Sequence, residues 1–101
     1  MHPTLSMYFV YIIETEDGHY YTGQTSDLLR RFREHLGGGK HSAGYLRMHK
    51  PKYLVHVEEC GSRGSALKRE SEIKRSRRLK RTLIGTRRDL LEVIESEKSY
   101  R

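Results

Sequence analysis

Two segments near the start of the chain constrain the fold most, because both have the composition of β-strands and only a short polar segment separates them. Residues 8–15 and 19–25 are rich in Tyr, Ile, Val and Thr, and Glu16-Asp17-Gly18 lies between them. Two such segments joined by a short connection that contains glycine predict a β-hairpin. The fold must therefore be built around an antiparallel pair of strands.

The length of the hairpin loop determines which side chains share a face of the sheet. A two-residue Asp-Gly loop would place Tyr11 and Tyr21 on opposite faces, because side chains alternate along a strand. A three-residue loop would pair Thr15 with His19 and place the two tyrosines on the same face. Gly18 suits the left-handed third position of the longer loop. We therefore predict the three-residue loop and a shared face.

The rest of the chain contains signals for one more strand and four helices. A helix over about 27–36, with Ser26 as its N-cap, is followed by a basic mobile loop over 37–52 and a strand over 53–58. The next helix covers about 65–75 and is capped by Ser62 or Ser65. Two more helices follow, over about 77–84 and about 86–96, and the capping-box pattern at Thr86 opens the last one. The order ββαβααα predicts an α+β fold with a small three-stranded antiparallel sheet flanked by helices.

Length and composition exclude several classes of protein. A chain of 101 residues is the usual size of one domain, with a core over about 8–84 and a helical extension over about 86–96. No apolar segment approaches the roughly 20 residues of a membrane span, and Met1–Ser6 lack the features of a signal peptide. We therefore expect a soluble, cytoplasmic protein that does not bind membranes, with a monomer favoured.

Disulfides and structural zinc are also excluded by the composition. The single cysteine, Cys60, rules out an intramolecular disulfide and a site with several thiolates. Four histidines are scattered along the chain without the spacing of metal ligands, namely His2, His19, His49 and His56. The sequence therefore predicts no structural zinc site.

Positive charge is concentrated in one part of the chain. The formal net charge is +7, and residues 63–88 contain 11 basic and 2 acidic side chains. Such a concentrated excess indicates a polyanionic partner, nucleic acid first. A solvated helical face explains the charge equally well, so charge alone leaves both interpretations open.

The first predicted helix has a basic pair beside its apolar face. Its apolar arc consists of Leu28, Leu29, Phe32 and Leu36. Arg31 and His35 are four residues apart and lie together at one border of that arc. From there both side chains can reach over the sheet, although border Arg and His side chains more often only extend their polar ends into solvent.

A carboxylate lies within the apolar arc of the helix predicted over 65–75. Ala66, Leu67 and Ile73 define this arc, and Glu70 lies inside it next to Lys74. A carboxylate on a packing face is costly unless it is paired or binds a cation. Glu70 is therefore either the partner of a nearby basic residue or a ligand of a hard metal ion such as Mg²⁺ or Mn²⁺.

These segments together resemble the GIY-YIG nucleases. Phe9-Val10-Tyr11, followed ten residues later by Tyr21-Thr22-Gly23, resembles the paired signature of that family. Residues 27–35 resemble the first-helix segment that holds the arginine of the family and often a histidine, and residues 66–70 resemble the segment that holds its metal-binding glutamate. The resemblance covers about 8–84, and the length is similar to that of the small stand-alone bacterial GIY-YIG proteins.

The sequence departs from the family pattern at three points. Phe9 stands where the first signature has glycine, and Thr22 occupies the middle of the second. Some members have a further asparagine near the end of the domain, and this chain has no Asn. Similar modules occur in excision-repair nucleases, in homing endonucleases and in the structure-specific nuclease that resolves branched DNA.

The resemblance implies an endonuclease that uses one Mg²⁺ or Mn²⁺ ion to hydrolyse phosphodiester bonds in nucleic acid, with DNA and DNA repair as the first expectation. Glu70 would bind the metal ion and Arg31 the scissile phosphate. Tyr11 would act as the base or orient the water, with Tyr21 in the same network. His35 would assist proton transfer, and Gly23 would permit a close approach at the end of the hairpin.

The basic side chains would hold the nucleic-acid backbone. The candidates for phosphate contacts are Lys40, His41, Lys68, Arg69, Arg75, Arg77, Arg78, Lys80 and Arg81. The first alternative is a non-catalytic module that keeps the GIY-YIG fold and only binds nucleic acid. The second is an adaptor that docks an acidic protein. Neither alternative requires Glu70 to bind a metal ion.

Overall fold

The computed structural model of the protein describes residues 7–98, with side chains up to residue 96. Within that range the strands are β1 (Tyr8–Thr15), β2 (Tyr20–Thr25), β3 (Pro51–Cys60) and β4 (Arg88–Asp89), and the helices are α1 (Leu28–Gly37), α2 (Gly44–Met48), α3 (Arg63–Arg75), α4 (Arg77–Leu83) and α5 (Leu90–Lys98). None of these helices is long and apolar enough to cross a membrane. The predictions about residues 1–6, including His2, lie outside the described range.

The strands form one antiparallel sheet in the order β2-β1-β3-β4. The predicted α+β class is confirmed, but the prediction of a three-stranded sheet is wrong. The fourth strand consists of Arg88 and Asp89, which pair with Leu54 and Tyr53 of β3. Two residues are too few to show the alternation that marks a strand in a sequence, so only the return of the chain along β3 creates this strand.

The hairpin has the predicted three-residue loop. The backbone N–H of Thr15 donates to the carbonyl of His19 at 2.8 Å, and Gly18 has a φ of 82°, where only glycine is unstrained. Tyr11 pairs with Gly23, so Tyr11 and Tyr21 occupy the same face of the sheet. The prediction of a shared face is confirmed.

Alternation along β1 divides the core between the two faces of the sheet. Tyr11 and Ile13 belong to a cluster that α1, α2 and α5 cover. Val10 and Ile12 belong to a second cluster that α3 and α4 cover. We call these the α1 face and the α3 face.

Helix α1 is rotated relative to the predicted arc. His35 is 1% exposed, whereas Leu36 is 38% exposed, so His35 packs inward and is not at the border. The rotation places Phe32 and His35, three residues apart, on the same inward stripe. The N-cap is Asp27, which accepts from the N–H of Arg30, and not Ser26. Gly38 ends the helix in a left-handed conformation, with a φ of 65°.

The segment predicted as an irregular loop over 37–52 contains helix α2 and the start of β3. A helix of five residues spans little more than one turn and shows no apolar period. Its only buried side chain is Leu46, which packs into the core of the α1 face. One apolar anchor therefore orders a segment whose composition is basic and polar.

Helix α3 begins at Arg63, two residues before the predicted start. Ser62 is its N-cap, and Ser65 completes a capping box with it. Leu67, predicted on the apolar arc, is exposed. The buried residues are Ala66 and Ile73, so the packed stripe is narrower than the sequence indicated.

Helix α5 begins at Leu90 and not near Thr86, because Arg88 and Asp89 belong to β4. The side chain of Asp89 accepts from the N–H of Glu92 at 3.1 Å and so caps the helix. Leu90 and Ile94 are buried in the core of the α1 face. These two residues close the core at the C-terminal end of the fold.

Candidate active site

Three aromatic side chains meet on the α1 face. Tyr11 comes from β1, Tyr21 from β2 and His35 from α1. The ring centroids are 6.3 Å apart for Tyr11 and Tyr21, 5.9 Å for Tyr11 and His35, and 5.5 Å for Tyr21 and His35. Phe32 contacts Tyr11 edge-on at 5.3 Å. The tertiary structure thus joins both signature tyrosines to the histidine of the first helix.

Gly23 makes room for this cluster. A Cβ atom at this position would lie 2.5 Å from the hydroxyl oxygen of Tyr11 and 2.9 Å from Cε2 of Tyr21. Both distances are shorter than real Cβ contacts, so any side chain would displace a ring. The glycine is therefore required by the tyrosines that pack against it, and the close approach is made by Tyr11.

A buried hydrogen bond connects Tyr11 to His35. The Tyr11 hydroxyl oxygen lies 2.7 Å from Nε2 of His35, and both side chains are buried. Burial, together with a smaller effect of the positive charge of Arg31, lowers the pKa of His35 to about 4. The imidazole is therefore neutral at pH 7. Among the described residues, Nδ1 of His35 has no hydrogen-bond partner.

The phenol of Tyr11 is also neutral. Burial raises its pKa well above the usual value, and the neighbouring Tyr21 adds to this shift. The Arg31 guanidinium acts in the opposite direction and lowers the pKa of Tyr11. Tyr11 therefore carries its proton at neutral pH and can lose it only to a neighbouring acceptor.

Arg31 interacts with the Tyr11 phenol and is held by two oxygens. Its Nη1 donates to the backbone carbonyl of His41 at 2.6 Å and to Oε1 of Glu34 at 3.0 Å. The side chain is half-buried, and the ion pair with Glu34 raises the pKa of Arg31 against the effect of burial. Arg31 therefore remains partly exposed to solvent, whereas His35 is buried against the sheet.

Glu70 is electrostatically connected to Tyr11 although α3 packs on the opposite face of the sheet. Its negative charge raises the pKa of the Tyr11 phenol. The Glu70 side chain is 18% exposed, and Oε2 lies 3.4 Å from Nζ of Lys74. The alternative of a basic partner is therefore present as a loose ion pair. Within residues 7–98 the other carboxylate oxygen has no hydrogen-bond or salt-bridge partner.

The predicted phosphate-binding side chains fall into two groups. The exposed ones are Lys40, His41, Lys68, Arg75, Arg77, Arg78 and Arg81. Arg69 is instead engaged, because its Nε donates to Glu58 at 2.6 Å. Lys80 is half-buried, and burial lowers its pKa with the help of the nearby charges of Lys74 and Arg77.

The structure also assembles a group that the sequence concealed. Asp17, His19 and His49 place their ligand atoms within 4.8 Å of one another, and they are the only group of three potential metal ligands among the described residues. The sequence predicts no structural zinc site because its histidines lack ligand spacing, yet the fold brings His19 and His49 together. These two histidines are far apart in the sequence, so no local spacing could have revealed their proximity.

Two further contacts of the site were not foreseen. Tyr45 of α2 stacks on Tyr21, with ring centroids 6.3 Å apart and planes inclined by 27°. On the α3 face the hydroxyl of Thr22 is buried and has no hydrogen-bond partner within the described part of the chain. Tyr45 lies in the segment predicted as an irregular loop, and nothing in the sequence there indicated that a short helix would bring its ring to Tyr21.

Comparison with known proteins identifies the family. The family model described as the GIY-YIG catalytic domain matches residues 7–82. A UPF0213 protein of Desulfotalea psychrophila is 45% identical over 78 residues, which cover 76% of this chain and 70% of that protein. A UPF0213 protein of Halobacterium salinarum is 46% identical over 68 residues, or 67% of this chain and 86% of that protein.

A solved structure is also similar in sequence. The solution NMR structure of a UPF0213 protein from Bacillus halodurans shares 37% identity and covers 75% of this chain and 79% of that chain, with a TM-score of 0.46. The family match covers most of the sheet, α1 and α3, and with them every residue of the cluster described above. The resemblance that the sequence indicated is therefore confirmed, and this chain belongs to the GIY-YIG family.

Proposed function

We propose that the protein is a metal-dependent endonuclease that hydrolyses phosphodiester bonds in nucleic acid, with DNA as the expected substrate. The observation that carries this proposal is the buried hydrogen bond between Tyr11 and neutral His35, with Arg31 and Glu70 close enough to shift the pKa of Tyr11. Phosphodiester hydrolysis requires a proton acceptor and stabilisation of the charge that develops on the phosphate. The Tyr11–His35 pair, Arg31 and the Glu70 carboxylate could supply these, because they interact electrostatically with one another.

Glu70 is the proposed ligand of the divalent ion. Its carboxylate is a hard oxygen donor, it is half-buried, and its ion pair with Lys74 is loose at 3.4 Å. Mg²⁺ is commonly held by one or two carboxylates together with water and substrate phosphate, and a single glutamate fits this mode. When bound, a Mg²⁺ or Mn²⁺ ion supplies Lewis-acid chemistry and neutralises charge at the phosphate and the leaving oxygen.

Arg31 is the proposed phosphate-binding residue. Its guanidinium presents several donors in a rigid fork that matches phosphate oxygens. Glu34 and the His41 carbonyl engage Nη1, and the guanidinium also interacts with the Tyr11 phenol. Substrate phosphate would therefore bind through the remaining donors, or would replace the carbonyl of His41. In either arrangement the positive charge of Arg31 lies beside the Tyr11 phenol.

Tyr11 and His35 together are the proposed proton acceptor. As the water attacks phosphorus, it transfers a proton to the Tyr11 hydroxyl oxygen, and the phenol proton moves to Nε2 of His35. This sequence needs neutral His35, which its lowered pKa of about 4 provides at pH 7. Tyr11 has no exposed surface in this structure, so Arg31 or Tyr21 must move for water to reach it.

The basic residues of α3 and α4 that reach the surface, together with half-buried Lys80, are the proposed binding surface for the nucleic-acid backbone. Arg77, Lys80 and Arg81 line one side of an open cavity of about 530 Å³. Contacts from such residues to phosphates give affinity without sequence information. We therefore expect binding that weakens as salt concentration rises.

Cleavage of a substrate panel tests the proposal. Supercoiled plasmid, branched DNA, single-stranded DNA and RNA would be incubated with Mg²⁺, Mn²⁺ or EDTA, and wild type compared with Glu70→Gln. Glu72→Gln is the matched control, because Glu72 lies on the same helix and is more exposed. Metal-dependent cleavage that is lost in Glu70→Gln and kept in Glu72→Gln supports the nuclease. Cleavage that persists in Glu70→Gln rejects the metal assignment.

The second candidate function is a non-catalytic module that binds nucleic acid. The complete burial of Tyr11 and the contact of Arg31 with the His41 carbonyl favour it, because both groups are occupied within the protein. This function predicts that no member of the panel is cut. It also predicts equal binding by wild type and Glu70→Gln, with or without a divalent ion.

A further inference from the structure

Three side chains that could bind a metal ion lie together at the tip of the hairpin. Asp17 and His19 come from the β1–β2 connection, and His49 follows α2. Nδ1 of His49 lies 2.6 Å from Oδ2 of Asp17, and Nδ1 of His19 lies 3.4 Å from the same oxygen. Both imidazole nitrogens thus converge on one carboxylate oxygen.

The surrounding structure holds these ligands in place. The Thr15 hydroxyl donates to Oδ1 of Asp17 at 2.6 Å, which orients the carboxylate so that Oδ2 faces the histidines. The N–H of Glu16 donates to the carbonyl of Lys50 at 2.8 Å, and this bond ties the hairpin tip to the segment that carries His49. Outer hydrogen bonds of this kind fix the ligands of metal sites.

The donor set indicates the class of metal. Two imidazole nitrogens and one carboxylate oxygen suit Zn²⁺ and its neighbours Ni²⁺, Cu²⁺ and Co²⁺, whereas Mg²⁺ prefers oxygen ligands and retains its water. Donor atoms around a tetrahedral Zn²⁺ at about 2.0–2.1 Å lie roughly 3.3 Å apart. The three donor atoms are already within 4.8 Å, so small side-chain rotations suffice.

The group is partly open to solvent. Asp17 and His19 are exposed, and His49 is half-buried. The open side leaves room for water as a further ligand.

We propose that Asp17, His19 and His49 form a binding site for a divalent transition-metal ion of the Zn²⁺ class. The ion would replace the hydrogen bond between His49 and Asp17 and would cross-link the hairpin tip to the end of α2. It would also fix Tyr45, whose ring lies 4.6 Å from that of His49 and stacks on Tyr21. The proposal rests on these residues alone and does not require nuclease activity.

Zinc titration of the full, untagged chain tests the site. Isothermal titration with Zn²⁺ is expected to show one site per chain in the wild type. Loss of an outer-shell partner commonly weakens metal binding about 10- to 100-fold, so loss of a direct ligand in Asp17→Asn, His19→Ala or His49→Ala should weaken it by at least about tenfold. Excess Mg²⁺ should not weaken Zn²⁺ binding at this site, because Mg²⁺ prefers oxygen ligands.

His56→Ala is the matched control. Nε2 of His56 lies 2.6 Å from Oε2 of Glu58, so this histidine also pairs with a carboxylate but belongs to no group of three ligands among the described residues. Zinc affinity that falls in the three ligand variants and not in His56→Ala supports the site. Affinity that is unchanged in the ligand variants, or reduced equally in His56→Ala, overturns it.

A second readout keeps the test independent of folding defects. His19 is exposed, so His19→Ala should fold normally, and its far-UV circular dichroism should match the wild type. In NMR spectra of the wild type, Zn²⁺ should shift the imidazole signals of His19 and His49 and leave those of His35 and His56 in place. Shifts confined to other histidines would contradict the assignment.

Discussion

The two faces of the sheet are built from the same strands but differ in chemistry. On the α1 face, Tyr11, Phe32 and His35 are completely buried, and the polar atoms of Tyr11 and His35 contact each other. On the α3 face, a small core around Ile12 and Ile73 lies under helices whose outer surfaces are strongly basic. Burial on the first face controls proton affinity, whereas exposure on the second keeps charges available to a polyanion.

This difference explains why the charge composition of the sequence said less about function than the residues of the α1 face. The charges of residues 63–88 were evident from composition but compatible with several functions. The chemistry of Tyr11 and His35 has no compositional signal and depends on one buried contact of 2.7 Å. The signature tyrosines mark this part of the site in the sequence, but its chemistry depends on a contact that composition does not show.

Replacement of Tyr11 should produce the largest effect. Tyr11→Phe removes the proposed proton acceptor, and loss of general acid–base groups commonly costs about 10²- to 10⁴-fold in rate. It also leaves Nε2 of His35 buried without its partner, which should lower the free energy of unfolding by about 1–3 kcal/mol. Cleavage rates and urea unfolding would measure both effects.

Tyr20→Phe provides the matched control, because Tyr20 is the neighbour of Tyr21 in sequence but packs on the α3 face. Little change in rate or stability is expected. Equal losses in Tyr11→Phe and Tyr20→Phe would contradict the functional difference between the faces.

The pH dependence of stability sharpens the comparison further. Because burial lowers the pKa of His35 from 6.5 to about 4, the unfolded chain binds a proton between these values and the folded protein does not. Stability should therefore fall as pH decreases from about 6.5 to about 4, by on the order of 3 kcal/mol. Urea midpoints between pH 4 and pH 7 would measure the slope.

His35→Gln should flatten that slope, since it removes the group that titrates. His56→Gln is the control on β3, where the half-buried histidine pairs with Glu58. A slope that remains in His35→Gln would assign the pH dependence to other groups. The cleavage rate should also fall as pH decreases. It should be constant above about pH 6 and decline at lower pH, where His35 becomes protonated.

Addition of a single methyl group tests the packing of the α1 face. Gly23→Ala places a Cβ 2.5 Å from the Tyr11 hydroxyl oxygen, and overpacking of this kind costs about 1–3 kcal/mol. Gly39→Ala is the control, because nothing lies within 4 Å of a Cβ at that position. Thermal unfolding should show a lower Tm for Gly23→Ala and no decrease for Gly39→Ala.

The smallest effect is expected on the α3 face. Replacement of Arg77 and Arg81 by Gln should reduce the slope of log affinity against log salt concentration by about one unit for each phosphate that the variant no longer binds. Lys52→Gln, on β3 and outside the basic block, should leave the slope unchanged. Fluorescence anisotropy with a labelled DNA duplex at several salt concentrations would measure it. An unchanged slope in the double variant would remove α4 from the binding surface.

Much of the architecture could be predicted from local patterns, and the errors share one cause. The hairpin, α1, α3 and α4 were predicted within a few residues, because caps and apolar periods are local signals. Helix α2 and strand β4 were missed, since five and two residues carry no detectable period. The inward position of His35 in place of Leu36 was also missed, because packing on Tyr11 fixed the rotation of α1.

The sequence by itself determined that Tyr11 and Tyr21 share a face, because Gly18 selects the loop length and the loop length sets the register of the strands. Only the tertiary structure decided which groups meet these tyrosines, and it also brought His49 to Asp17. Backbone conformation depends on neighbours along the chain, whereas proton affinity and metal ligation depend on contacts between residues that folding alone brings together.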